Sequence, residues 1–122
     1  MIEQAEQIVA GITEGMDGFE DLARILALLT RHRGRALRSS DVVQARLTIA
    51  QACAQFEGLK KPDHYNHARA LVDMATTYID EGDVSAAVPY LDDAIALLSD
   101  QAAPAHLAFA QQLREACLNQ GA

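Results

Sequence analysis

Two histidines stand close enough in the sequence to share a metal ion. His64 and His67 are three positions apart, and residues at that spacing are neighbours on one helix face. A zinc site would need two further ligands, for which His32 and Cys53 are the only obvious candidates. The sequence has neither a Glu-x-x-His pair nor a second carboxylate-rich helix to complete a di-metal site. We therefore expect two partly exposed histidines and no metal or other cofactor, with a metal-dependent enzyme or sensor as the weaker alternative.

The other residue types with catalytic potential also lack suitable neighbours. Cys53 and Cys117 are the only cysteines, and no CxxC spacing occurs, which excludes a disulfide framework or a four-cysteine zinc site. Both fall on apolar stripes, where burial keeps a thiol protonated and unreactive. Asp92 and Asp93 are adjacent and cannot share one helix face as an acid/base pair. Because glycine-rich phosphate loops and serine nucleophile motifs are also missing from the sequence, a non-enzymatic role is expected.

One basic cluster interrupts an otherwise acidic chain. Arg31, Arg33, Arg35 and Arg38 fall within eight residues around a predicted helix end at Gly34. Cations are favourable at a helix C-terminus, which explains Arg31 and Arg33 without any ligand. The alternatives are contact with an acidic partner or nucleic acid, or docking of this loop onto the acidic half of another copy of the chain.

The net charge of −7 lies entirely in the second half of the chain. Residues 1–69 hold nine basic and nine acidic residues, whereas residues 70–122 hold one basic and eight acidic residues, and 1 − 8 = −7. Such a field disfavours nucleic acid and anionic membranes and favours basic partners. The chain contains no apolar run long enough to span a membrane, and it does not begin like a signal peptide, so a cytoplasmic protein is expected.

Apolar spacing and helix breakers predict an all-α chain of about six helices and no sheet. Expected caps are Asp17 for the second helix, Ser39 or Ser40 for the third and Asp63 for the fourth. Gly82 should close the fourth helix in a left-handed conformation. Pro104 suits the first turn of the last helix, whereas Pro89 should kink the fifth or cost it a hydrogen bond. The predicted segments are residues 2–13, 18–32, 39–56, 63–80, 83–98 and 104–120.

Residues 68–101 carry a pattern of bulky, small and aromatic residues over a 34-residue length, with a glycine turn in the middle. This stretch resembles a tetratricopeptide repeat. It departs from the family pattern at Leu71, where the family often has Trp, at Ser99, where a Pro is usual, and at Pro89. The residues that carry the resemblance are Leu71, Met74, Ala75, Tyr78, Glu81, Gly82, Asp83, Ala87, Leu91 and Ala94.

The resemblance implies a single domain over residues 1–122, built of antiparallel hairpins that stack as a short right-handed solenoid. Its parts would be an N-terminal hairpin (1–34), a linking helix and loop (39–67), the repeat (68–101) and a polar capping helix (103–120). The first helix of each repeat lines a concave groove in this family. The implied groove residues are Arg69, Val72, Asp73, Thr76, Ile79 and Asp80.

These groove residues suggest what would bind there. Asp73 and Asp80 stand where relatives that clamp a carboxylate have an Asn and a basic residue, so that role is disfavoured. An apolar strip with acidic edges instead suits a basic or amphipathic helix of another protein. We expect an adaptor, an assembly factor or a small acidic chaperone of the kind that serves bacterial secretion. Self-association through Arg31, Arg33, Arg35 and Arg38 is the alternative, and the two aspartates could also be ordinary solvated positions.

Overall fold

The computed structural model describes residues 18–121, and this part of the chain is all-helical, with five helices and no strand. The predicted all-α class is therefore confirmed over the described residues. The predicted helix over residues 2–13 and the Asp17 cap lie outside them. The helices are α1 (Phe19–Leu37), α2 (Val42–Glu57), α3 (His64–Asp80), α4 (Val84–Leu98) and α5 (Pro104–Gly121).

Aspartate side chains cap three of the helices. The carboxylates of Asp41, Asp63 and Asp83 accept hydrogen bonds from backbone N–H groups in the first turns of α2, α3 and α4. Each bond satisfies a donor that the helix itself leaves unpaired. The prediction is confirmed for Asp63 and wrong for Ser39 or Ser40. The Ser40 hydroxyl instead donates to the Leu37 carbonyl at 3.2 Å, so it belongs to the end of α1.

Gly34 does not end α1, as its residue type had suggested, but lies inside the helix. A Cβ atom added at Gly34 would lie 2.5 Å from Ile49 Cγ1 and 3.3 Å from the Ala45 carbonyl oxygen. The glycine therefore serves the close approach of α1 and α2, where any side chain would push the helices apart. Because α1 continues to Leu37, Arg31 sits within the helix rather than at its C-terminus.

The turn between α3 and α4 follows the prediction. Gly82 adopts a φ of 83°, a conformation that glycine adopts without strain. Its N–H donates to the Ile79 carbonyl at 2.9 Å, and the Asp83 N–H donates to the Tyr78 carbonyl at 2.9 Å. Pro89 lies inside α4 without ending it, and Pro104 is the first residue of α5, as predicted.

The described helices form two rows. Each helix packs on the next in the chain, and α1 also touches α3, while α3 touches α5. Ion pairs join Arg24 to Asp63 and Arg38 to Asp80, near opposite ends of α1 and α3, which shows that these two helices run parallel. The row of α1, α3 and α5 therefore presents one continuous face, with α2 and α4 packed against its other side.

Small residues set the spacing of the core. Ala27, Ala52, Ala75, Ala87 and Ala94 are fully buried, so neighbouring helices can approach closely. Larger side chains fill the remaining gaps, and the largest fully buried ones include Ile49, Leu91 and Leu98. Among the described residues, no helix is long and apolar enough to cross a membrane.

Candidate functional site

The row of α1, α3 and α5 encloses a groove of about 330 Å³. Basic, acidic and apolar side chains share its walls, and four of the five described helices contribute. Concave sites of this size, apolar with a few convergent polar groups, are the usual form of binding sites. The lining residues are Arg31 and Arg35 from α1, Arg69, Val72 and Asp73 from α3, Leu98 from α4, and Ala105, His106 and Phe109 from α5.

The structure places half of the predicted groove residues in this groove. Arg69, Val72 and Asp73 line it, whereas Thr76, Ile79 and Asp80 do not. The Thr76 hydroxyl donates to the Val72 carbonyl of its own helix at 2.7 Å, and Ile79 packs against the apolar cluster of Ala75, Ala87, Leu91 and Cys117. Asp80 lies in a separate hollow beside Arg35 and Arg38.

Arg31 and Asp73 form an ion pair at the wall of the groove. The Arg31 Nε atom donates to Asp73 Oδ2 at 2.5 Å, and the exposed fractions of the two side chains are 5% and 14%. Arg35 Nε approaches the other carboxylate oxygen of Asp73 at 3.7 Å. Burial lowers the pKa of Arg31 although Asp73 opposes the shift, and a guanidinium with its very high intrinsic pKa remains charged under these conditions.

A second ion pair joins α1 and α3 at their C-terminal ends. Arg38 donates from Nε to Asp80 Oδ2 at 2.6 Å and from Nη2 to Oδ1 at 3.1 Å. This two-point hydrogen bond raises the pKa of Arg38 and lowers the pKa of Asp80. The pair is more exposed than the pair of Arg31 and Asp73, so solvent screens it more strongly.

These pairs bring together two sets of residues that the sequence analysis had treated separately. Arg31, Arg35 and Arg38 come from the basic cluster, and Asp73 and Asp80 come from the predicted acidic groove. Within one chain the two sets neutralise each other in part. Arg33, the fourth arginine of the cluster, lies on α1 but does not line the groove. Self-association through this cluster stays a prediction.

The balance of charge in the groove is therefore positive. Of the residues that the structure describes, three arginines and one aspartate line it, and 3 − 1 = +2. The Nε2 atom of His106 lies 3.2 Å from the Tyr65 hydroxyl, and the two rings meet edge to face. Phe109 remains 55% exposed beside them. The groove thus places an apolar surface next to more guanidinium groups than carboxylates. Such a surface suits a ligand that carries both an apolar side chain and a negative charge.

Sequence reasoning missed the contributions of α4 and α5 to the groove. The groove residues implied by the resemblance all lie on α3, and α5 was expected only as a polar cap. His106 and Phe109 lie three positions apart in the first part of α5. This spacing places an imidazole and an aromatic ring on one helix face, and it was the available sequence signal for a binding surface on α5. Their relation to Arg69 depends on the packing of α5 against α3, which no local pattern reveals.

Arg46 forms a further polar cluster away from the groove. Its guanidinium donates to the Thr77 hydroxyl and carbonyl oxygens, each at 3.1 Å, and pairs with Glu81. The same group lies 3.8 Å from the centroid of the Tyr78 ring, which stacks on Tyr90. These contacts tie α2 to the end of α3, so the cluster has a clear structural role.

The two histidines of the predicted metal alternative have different surroundings. His64 is exposed, whereas the His67 ring stacks on Phe56 at 6.1 Å, with Nε2 3.9 Å from Glu57 Oε1. Burial lowers the pKa of His67. Among residues 18–121, no group of three or more His, Cys, Asp or Glu side chains is arranged to hold a metal ion.

Both cysteines are buried, as predicted. Burial raises the pKa of Cys53 to about 12 and also raises the pKa of Cys117. A thiol with such a pKa is protonated at neutral pH and is a poor nucleophile. The groove lining contains neither cysteine.

Comparisons of the chain with protein-family models, with curated proteins and with solved structures found no match. The resemblance to the tetratricopeptide repeat thus rests on the residue pattern of 68–101. Any functional conclusion rests on the geometry of the groove.

Proposed function

We propose that this protein is a non-enzymatic interaction module that binds an amphipathic segment of another protein in the groove between α1, α3 and α5. The observation that carries the proposal is the groove itself. It combines the exposed ring of Phe109 and the side chain of Val72 with three arginines, Arg31, Arg35 and Arg69, on one continuous face. Helical segments commonly bind in such grooves by inserting apolar side chains.

The arrangement of helices supports this proposal. Three neighbouring helices form one face and two further helices back them, which is the layout that a tetratricopeptide-like stack would produce. The backing helices pack through fully buried alanines and leucines, so the face rests on a rigid support. Within this class, an adaptor, an assembly factor and a small chaperone all use such a surface.

The preferred charge of the partner differs from the sequence-based expectation. A basic partner was expected because Asp73 and Asp80 were taken as the charged groups of the groove. Both carboxylates are engaged by α1 arginines, and Asp80 lies outside the groove. The proposal therefore keeps an amphipathic segment as the ligand and no longer requires it to be basic.

Site-specific photo-crosslinking in cells tests the groove. A photoreactive residue at Phe109 should crosslink one or a few defined proteins, whereas the same residue at Leu118 should not. Leu118 is the matched control because it lies on the same helix, is 44% exposed and does not line the groove. Phe109→Asp should abolish recovery of the same proteins by the tagged chain. Equal crosslinking from both positions, or none from Phe109, would exclude the groove as the binding site.

A further inference from the structure

We infer that the arginines of the groove bind acidic side chains, so the ligand is a protein segment with Asp or Glu beside a bulky apolar residue. This inference rests on the proposed function and adds the chemistry of the partner. It runs against the net charge of the chain, which by itself favours a basic partner.

The described residues of the groove carry more positive than negative charge. Arg31, Arg35 and Arg69 converge on a groove in which, among residues 18–121, Asp73 is the one lining carboxylate. Like charges that converge on a partly enclosed space repel each other, and anions from solution relieve that repulsion. Burial is the main cause of the lowered pKa of Arg31, and the nearby charges of Arg69 and Arg35 lower it further.

The Arg31 side chain is only 5% exposed, and its guanidinium is incompletely hydrogen-bonded. Among residues 18–121 its one hydrogen bond runs from Nε to Asp73, yet a guanidinium carries further N–H donors on both Nη atoms. These Nη donors are not among the buried, unpartnered side-chain atoms of the described residues, so they reach the solvent of the groove. Because Arg31 lines the groove, a carboxylate bound there would supply the acceptors.

Arg69 provides a second contact point across the groove. Its guanidinium carbon lies 5.4 Å from the centroid of the Tyr65 ring, and within the described part of the chain it forms no ion pair. Stacking on an aromatic ring orients the guanidinium plane without using its N–H donors. Arg69 is thus held in place with its donors available for a carboxylate.

The apolar part of the groove sets the other requirement. Phe109 is 55% exposed and lines the same groove as Val72 and Leu98. An aromatic or aliphatic side chain of the ligand would bury this surface. The excess of two positive charges suits a segment with more than one acidic side chain better than a single terminal carboxylate. The acidic second half of the chain disfavours nucleic acid as the source of the anion.

Binding of synthetic peptides to the full chain tests the inference. The probe is an end-blocked helical peptide of about 15 residues, long enough to form some helix, with Leu and Phe on one face and Glu beside them. Two matched peptides replace every Glu by Gln or by Lys. We expect the Glu peptide to bind at least about tenfold more tightly than the Gln peptide, and its affinity to fall as salt rises, because exposed charge contacts are screened.

Variants of the protein locate the contact. Arg69→Gln should weaken binding of the Glu peptide by about tenfold, the loss of one charge-assisted contact, and should leave the Gln peptide unaffected. Arg114→Gln is the matched control, since Arg114 pairs with Asp92 and lies outside the groove, and it should bind like the unmodified chain. Circular dichroism verifies that each variant keeps its helices.

Several results would overturn the inference. They are equal affinity for the Glu and Gln peptides, tighter binding of the Lys peptide, an unchanged affinity in Arg69→Gln, and no detectable binding of the Glu peptide. A short single-stranded RNA that bound more tightly than the Glu peptide would assign the arginines to nucleic acid instead.

If the Lys peptide bound and Phe109→Asp abolished that binding, this inference would fail while the proposed function stood. Loss of both peptide binding and the Phe109 crosslinks would remove the two together.

Discussion

Helix α3 has two contrasting interfaces. Toward α4, Ala75 of α3 packs in one apolar cluster with Ala87 and Leu91 of α4, and all three residues are fully buried. Toward α1 it meets arginines through Asp73 and Asp80. The first interface fixes the distance between the helices through shape, and the second fixes their register through charge. The groove forms beside the second, so its chemistry depends on how completely those charges are paired.

The largest expected effect is in the apolar interface. Leu91→Ala removes a fully buried side chain and should lower the free energy of unfolding by about 3 kcal/mol, because a cavity is left between α3 and α4. Urea denaturation followed by circular dichroism measures the change. Leu47→Ala is the matched control, since Leu47 is 60% exposed, and should cost less than about 0.5 kcal/mol. Equal losses would show that the apolar interface does not carry this stability.

An intermediate effect is expected where a charge is buried. Asp73→Ala leaves the Arg31 guanidinium, 5% exposed, without its acceptor. It should cost about 2 kcal/mol, which is less than the loss of a fully buried pair costs, because the groove admits some solvent. The same change in an Arg31→Met background should cost much less. A double-mutant cycle by urea denaturation gives the coupling between the two side chains. Coupling below about 0.5 kcal/mol would mean that the pair does not set the register of α1 and α3.

The smallest effect is expected at the exposed end of the same interface. Arg38→Gln should lower the free energy of unfolding by about 0.5 kcal/mol or less, because solvent screens this pair. Since the pKa of Asp80 is lowered in the folded chain, the contribution should be complete above the unfolded pKa of about 4. It should disappear as the pH falls through the lower folded value. A loss that stayed the same at acid pH, or that did not shrink in high salt, would contradict the assignment to this ion pair.

The features that follow from neighbouring residues could be predicted. Asp63 caps α3, Gly82 adopts positive φ, and Pro104 begins α5, because a cap or turn depends on only a few adjacent positions. The helical class and the burial of Cys53 and Cys117 followed from the spacing of apolar residues. The candidate site followed only in part, through Arg69, Val72 and Asp73 on one helix.

The features that failed depend on contacts between distant residues. Gly34 was read as a helix terminator, whereas its lack of a side chain serves the contact with Ile49. Glycine is used for both purposes, and only the neighbour decides which applies. Likewise, the partners Arg31 and Asp73 are 42 residues apart, and no spacing rule connects them.

By itself the sequence determined where helices form and which of their faces are apolar, because both properties follow from local propensity and a period of 3.6 residues. The tertiary structure decided which charges remain uncompensated. Coulomb interactions depend on distance and solvent exposure rather than on chain order. A chain with a net charge of −7 can therefore fold around a groove whose described lining holds three arginines and one aspartate.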